Sequence, residues 1–371
     1  MAVEIETSPT ARAIAESRRV ANLDLLRVAA ITLVVMLHFE VTKVLVWPAA
    51  LNVFHQGWIG CELLFTLSGW LIGNQFWAEL KRAGTVRLGR FWARRLLRIL
   101  PPYYVALVPI AAAEYATRSS NGVLFDWRYL LLLQNLWGEN PIFAHAWFIC
   151  VQVQFYLLFP LLFVLLRKHM RSFAYVFPVL LVTPIVLRLM NIHDLIGLNY
   201  RATYYRSDGL ILGMWLAYLA NFRPVAMERL YRAAAWLWPA AAAVILWPFS
   251  SFFLLKCFFL VGSLCFAIIM LAMLRAPSFA IAKSRPVEWY AAASYSIYLT
   301  HVPTLHAYRL FILPLARKLP VIAHLLLGCV LVALVGAAFY LLVERPGQTI
   351  RKDLVEDAAA AADGPTGEGH V

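Results

Sequence analysis

Charge is scarce in this chain: of 371 residues only 14% are Asp, Glu, Lys or Arg, against 62% hydrophobic, and the mean hydropathy is +0.70. That composition excludes a disordered chain and belongs to a polytopic membrane protein. Acid is scarcer than base, with 20 Asp and Glu against 33 Lys and Arg and a formal charge of +13. A basic excess can serve nucleic acid, but here it collects between apolar runs, as membrane topology requires, so no nucleic-acid partner is expected. The five cysteines, Cys61, Cys150, Cys257, Cys265 and Cys329, lack CxxC or His-linked spacing. They indicate neither a disulfide framework nor a metal site. No apolar core with a small-residue cleavage site occupies the first 20 residues, so no removable signal peptide is expected. An internal repeat of the kind seen in many transporters is also missing.

What is present is a series of apolar runs, and the fold class they predict is all-α: a bundle of about ten transmembrane helices with both termini cytoplasmic. The first run, Leu25 to Val46, follows a polar arm over residues 1–21. Further helices are expected at about Gly57–Trp77, Ile99–Tyr115, Ala146–Leu166, Phe173–Met190, Asp208–Leu219, Ala234–Phe249, Phe252–Leu274, Tyr290–Phe311 and Ile322–Leu342. Asp126 to Trp137 is apolar but too short to span, and reads as a re-entrant or interfacial segment. The densest basic run holds Lys81, Arg82, Arg87, Arg90, Arg94, Arg95 and Arg98. By the positive-inside rule that connection is cytoplasmic. The membrane domain is bounded at 22–346, with a cytoplasmic disordered tail over 347–371.

Within these apolar runs a few polar residues stand out. The first helix carries Arg27 and His38, eleven residues and about 16 Å apart along the axis and close to one face. Each taken alone has an ordinary reading, a snorkelling cation and an interhelical hydrogen-bonder; together they suggest an anion-holding end and a proton-handling end. Glu62, early in the returning helix, is expected at the depth of His38, where a carboxylate would fix the imidazole tautomer and make the other nitrogen a better base. Arg87, Arg90, Arg94 and Arg98 form a stripe if helical, suited to phosphate or to anionic headgroups of membrane lipid. Gln152 on the fourth helix, and Arg206 and Asp208 before the sixth, are candidate substrate contacts. Arg206 and Asp208 read equally as an interfacial ion pair. Ser68 and Gly69 read as helix packing, since TLSGW is not the GxSxG elbow of a soluble hydrolase. For Tyr295, Tyr298 and His301 in SYSIYLTHVP, packing is the favoured reading.

These residues resemble the acyltransferase-3 membrane proteins of the bacterial O-acetylase type. LDLLRVAAITLVVMLH looks like that family's signature of Arg, ten residues, His, carried by Arg27 and His38, and GCELLFTLSGWLI is similar to its second-helix motif. RRLLRILPPYY resembles its cytoplasmic arginine motif through Arg94, Arg95 and Arg98, and WFICVQVQFYLLFPLL, YRSDGLILG, SYSIYLTHVP and VERP follow in the same order. The resemblance spans Asp24 to Pro346. It implies transfer of an acyl group, commonly acetyl, from cytoplasmic acyl-CoA to a hydroxyl of an extracytoplasmic or lipid-linked carbohydrate. It further implies His38 as base, with Glu62 as its partner, and Arg27 with Arg94, Arg95 and Arg98 as donor contacts. An acyl-histidine intermediate is the alternative to direct transfer. Where the family commonly has a glutamate this chain has Gln152, which leaves Glu62 as the nearer candidate for acid. No bound metal or permanent cofactor is implied, and a bacterial inner membrane is the expected location. The rival reading is an exporter or flippase for a polysaccharide or lipid-linked sugar, with the buried ionisable groups as a proton path.

Overall fold

The computed structural model describes residues 21–47, 52–116, 126–136, 143–190, 198–247 and 252–349. The polar arm and most of the tail lie outside the described residues. Among the described residues the fold is all-α, with no strand. The longer helices are α1 (Ala21–Val41), α2 (Ile59–Ala83), α3 (Leu88–Ala116), α4 (Trp147–Leu166), α5 (Phe173–Met190) and α6 (Asp208–Phe222). They continue with α7 (Pro224–Leu246), α8 (Phe252–Arg275), α9 (Arg285–Ala292), α10 (Ser294–Ala307) and α11 (Val321–Phe339). Among the described residues, three helical stretches are long and apolar enough to cross a membrane: Leu88–Ala112, Ala144–Met190, which contains α4 and α5, and Val321–Thr349. Leu158, Leu161 and Leu165 on α4 and Val179 and Val182 on α5 are all more than half exposed. Such an apolar outer face, with the polar groups turned inward, is that of an integral membrane protein.

Several boundaries differ from expectation for identifiable reasons. The first helix stops at Val41, not Val46, because the chain turns at Lys43, whose φ is 58°. The second runs on to Ala83 and ends at Gly84, which takes φ 68° and returns its N–H to the Leu80 carbonyl, a left-handed cap that glycine adopts without strain. Of the basic run, Lys81 and Arg82 end α2 and Arg87 precedes α3; on α3 Arg90, Arg94 and Arg98 form a helical stripe, while Arg95 turns inward and is buried. The expected helix Tyr290–Phe311 is broken at Ala293 between α9 and α10. The helical chain also continues past the expected boundary at 346, as far as Thr349. Asp126 to Leu136 holds only the single-turn helix Trp127–Leu130. Asp126 caps that turn, accepting from the Arg128 backbone N–H at 3.0 Å, and the hydrogen-bonded Arg128 guanidinium holds its carboxyl below the usual carboxylate range.

The closest packing joins α2 to α6, each carrying a GxxxG sequence, Gly69/Gly73 and Gly209/Gly213. A Cβ at Gly69 would stand 2.3 Å from the Leu210 carbonyl oxygen, and one at Gly213 2.3 Å from that of Thr66. Small residues let the backbones touch, which drives helix association where burial from water offers little. Gly69 is therefore a packing residue, as expected.

Prolines inside helices serve a second purpose. Pro160 and Pro303 have no N–H to give to the carbonyl four residues back. The freed Tyr156 carbonyl accepts from Trp92 Nε1 at 3.0 Å, and the freed Leu299 carbonyl faces His145 Nε2 at 3.1 Å. In an apolar bundle a released carbonyl must find another donor, so each proline ties its helix to a distant segment.

Gly213→Val is expected to destabilise the protein by about 3 kcal/mol, because the overlap is with backbone that cannot move aside. Gly89→Ala, on α3 where an added Cβ meets nothing within 4 Å, is expected to be neutral or to gain up to about 1 kcal/mol. The thermal midpoints of the two detergent-solubilised variants check this contrast.

Candidate active site

Two cavities lie along α1. One, of about 300 Å³, is lined by Arg27, Ser68, Arg95, Arg98 and Gln152. The other, of about 290 Å³, is lined by His38, His145, Arg206 and an aromatic wall that includes Trp58, Trp147 and Phe259. Tyr298 on α10 lines both, so one aromatic side chain stands where they adjoin. Its hydroxyl donates to the His145 carbonyl at 2.5 Å.

His38 sits near the end of α1 with its Nδ1 2.7 Å from the Val34 carbonyl oxygen. A carbonyl only accepts, so Nδ1 carries the proton and Nε2 carries the lone pair. Among the described residues Nε2 has no hydrogen-bond partner, and it is the polar atom His38 offers to the cavity it lines. Arg27, near the other end of α1, donates to Asp24 at 3.1 Å.

The expected His38–Glu62 dyad is corrected by the structure. Glu62 is fully buried and ion-paired to Arg206, and its other oxygen accepts from Ser263 Oγ at 3.2 Å. The reason is charge: in an apolar interior a carboxylate is neutralised better by a guanidinium than by a neutral imidazole. Arg206 and Asp208 do not pair with each other either. Asp208 takes a bidentate pair from Arg188 at 2.8 and 3.0 Å, both side chains wholly buried. Asp208 lines neither cavity. Arg206 does line the His38 cavity, with its guanidinium 3.8 Å from the Phe259 ring centroid and 4.7 Å from that of Trp147.

Of the arginine motif, Arg95 and Arg98 reach the Arg27 cavity, whereas Arg94 is exposed and does not line it. Arg94 and Arg95 point about 100° apart on the helix, while Arg98, one turn beyond Arg94 on the same stripe, reaches the cavity. Arg95 Nη2 donates to Gln75 Oε1, while its buried Nε has no hydrogen-bond partner. Gln152 Nε2 donates to Ser68 Oγ at 2.9 Å, joining α4 to α2 at the cavity wall. Glu344, from VERP, is buried and accepts from Ser296 Oγ at 2.5 Å and Gln348 Nε2 at 2.9 Å.

The sequence offers His145 as a side chain that lines a cavity or stitches helices together, and it lines the His38 cavity; for His301 packing is the favoured reading. Their rings stand edge-on at 4.9 Å, and His301 lies 4.7 Å from the His38 ring. The contact of His145 with the Leu299 carbonyl joins residues 154 apart in the chain, a separation that no local pattern signals. Among the described residues no group of His, Cys, Asp or Glu is arranged to hold a metal ion.

A half-buried histidine with a bare ring nitrogen on a cavity of aromatic rings and two arginines, one side chain from a cavity lined by Arg27, Arg95 and Arg98, suits a membrane enzyme of group transfer. More particularly, the chain belongs to the acyltransferase-3 family, whose model, described as an acyltransferase domain, matches residues 20–341. The resemblance drawn from the motifs is thereby borne out. It is 25% identical over 320 residues to the peptidoglycan O-acetyltransferase OatA of Listeria monocytogenes, covering 76% of this chain and 49% of that protein. It is 26% identical over 209 residues to the O-acetyltransferase OatA of Staphylococcus aureus, covering 52% and 34% respectively. The chain thus spans about half or less of the length of these curated relatives. No solved structure matches it.

Arg188→Met is expected to lower stability by about 3 to 5 kcal/mol by leaving Asp208 buried without a counter-charge. The double variant Arg188→Met/Asp208→Leu is expected to recover most of that loss. Thermal unfolding of the purified single and double variants reads the difference.

Proposed function

We propose that the protein is a membrane O-acetyltransferase that takes an acetyl group from cytoplasmic acetyl-CoA and delivers it to a hydroxyl of an extracytoplasmic or lipid-linked carbohydrate. The observation that carries this reading is the adjacency of two cavities along α1, one lined by Arg27, Arg95 and Arg98 and the other by His38 with Trp58, Trp147, Arg201 and Arg206, with Tyr298 lining both. On this reading about ten helices cross the bacterial inner membrane, both termini are cytoplasmic, and residues 22–346 form the transferase unit. The basic α3 stripe then marks the cytoplasmic side.

Arg27, Arg95 and Arg98 hold the anionic donor, since guanidinium groups pair with phosphate by charge-assisted hydrogen bonds. Gln152 and Ser68 line the path of the thioester. Arg94, outside the cavity, faces anionic lipid headgroups or the incoming donor. Trp58 and Trp147 present apolar ring faces to the sugar, and Arg206, fixed by Glu62, borders its hydroxyls. Glu62 thus contributes through Arg206, and Asp208 through the placement of the same segment. The carbohydrate acceptors named for the relatives make peptidoglycan glycan the first acceptor to try.

In the reaction His38 Nε2 takes the acceptor hydroxyl proton as the oxygen attacks the thioester carbonyl carbon. The new C–O bond forms, the C–S bond breaks, and the departing CoA thiolate receives the proton from His38. The Val34 carbonyl supports this role, because it holds the Nδ1 proton in place throughout.

Membranes holding matched amounts of native protein or His38→Ala, supplied with radiolabelled acetyl-CoA and host glycan, test the reading. Base-labile label on glycan is expected with the native protein and at least about a hundredfold less with the variant. Equal label from both removes His38 from the chemistry. Arg95→Ala/Arg98→Ala is expected to raise the acetyl-CoA KM about tenfold with a smaller change in kcat, as initial rates over donor concentration would show.

A further inference from the structure

His301 is wholly buried on α10, and both of its ring nitrogens are placed. Nδ1 stands 2.6 Å from the Tyr298 carbonyl oxygen, which can only accept, so Nδ1 carries the proton. In the neutral ring Nε2 is then bare. That bare nitrogen lies 3.3 Å from His38 Nδ1, the atom whose proton is also directed at the Val34 carbonyl. A doubly protonated His301 would set N–H against N–H at this contact, so the neutral form is the one that fits. The imidazoles therefore have one self-consistent proton arrangement: His301 donates to its own helix, and His38 shares its Nδ1 proton between a carbonyl and His301 Nε2.

We propose that His301 is a positioning residue for His38, accepting the Nδ1 proton so that Nε2 is the basic nitrogen and stabilising the imidazolium that forms when His38 takes the acceptor proton. The inference rests on the proposed transferase reaction. It assigns to a neutral ring the task commonly given to a carboxylate, which Glu62, committed to Arg206, does not perform. A hydrogen bond from an ionised donor is stronger than one from a neutral donor, so the contact strengthens as His38 becomes charged. The His301 ring is held for this purpose. His145 packs against it edge-on at 4.9 Å and is itself anchored to the carbonyl freed by Pro303. No proton is gained or lost by His301 in the cycle; its Nδ1 keeps its proton, donated in a hydrogen bond to the Tyr298 carbonyl.

Two substitutions and a spectrum test it. His301→Leu removes the acceptor and keeps bulk, whereas His301→Gln can return an amide oxygen to the place of Nε2. In the labelled acetyl-transfer assay His301→Leu is expected to lose about a hundredfold in kcat with the acetyl-CoA KM unchanged, and His301→Gln to lie within about tenfold of native. Equal losses in both variants, a change confined to KM, or full activity in His301→Leu would overturn the assignment. Independently of activity, native protein labelled with 15N in histidine, with His38 assigned by its absence in His38→Ala, reports the tautomer directly. A protonated Nδ1 and bare Nε2 on His38, with coupling from that proton to His301 Nε2, is expected; an Nε2-protonated His38 overturns the proposal even if His301→Leu fails to fold. Absence of acetyl transfer by the native protein would count against the transferase reading instead, and the 15N spectrum would still decide the proton arrangement.

Discussion

The structure depends on neutralising buried charge within an apolar bundle. Glu62, Arg206, Asp208 and Arg188 are all buried almost completely, two acids against two bases, with the aromatic rings of Phe259 and Trp147 beside the cations. Neither acid can shed its partner without leaving a charge in a medium that solvates it poorly. Their pairing therefore joins α2 to the turn before α6 and α5 to the start of α6. The wall of the His38 cavity is assembled by this constraint.

Backbone polarity imposes the same rule at smaller scale. Proline in α4 and α10 removes one helical hydrogen bond each, and in both cases a side chain from elsewhere answers the vacant carbonyl. For α10 the answering group is His145, which then braces His301, which meets His38. A local defect in helix bonding is thus converted into the placement of a ring next to the proposed base. The GxxxG faces of α2 and α6 allow the close approach that lets these contacts form.

Function follows from the division of α1 between two environments. Its Arg27 end borders a cavity also lined by Arg95 and Arg98, and its His38 end one lined by aromatic rings with Arg201 and Arg206, so on the proposed reaction a single helix sets the distance from donor contact to base. Tyr298 closes the gap between them from α10, the helix that also supplies His301. On the proposed reaction, α1 carries Arg27 and His38, α10 carries Tyr298 and His301, and α3 adds Arg95 and Arg98.

By itself the sequence determined the all-α class and the family. Long apolar runs dictate helices because an apolar medium leaves the backbone no other partner, and the spacing of Arg27 and His38 follows from helical rise alone. Local rules also foresaw the helical arginine stripe and Gly69 as a packing residue. Partnership was decided only by tertiary structure. Glu62 chose Arg206 over His38, Asp208 chose Arg188 over its near neighbour Arg206, and Arg94 turned away from the cavity that Arg95 and Arg98 reach. His145 and His301 became relevant only when α10 crossed the turn before α4. The physical reason is that pairing energy depends on distance and dielectric across helices far apart in the chain, and neither quantity is written in residue order.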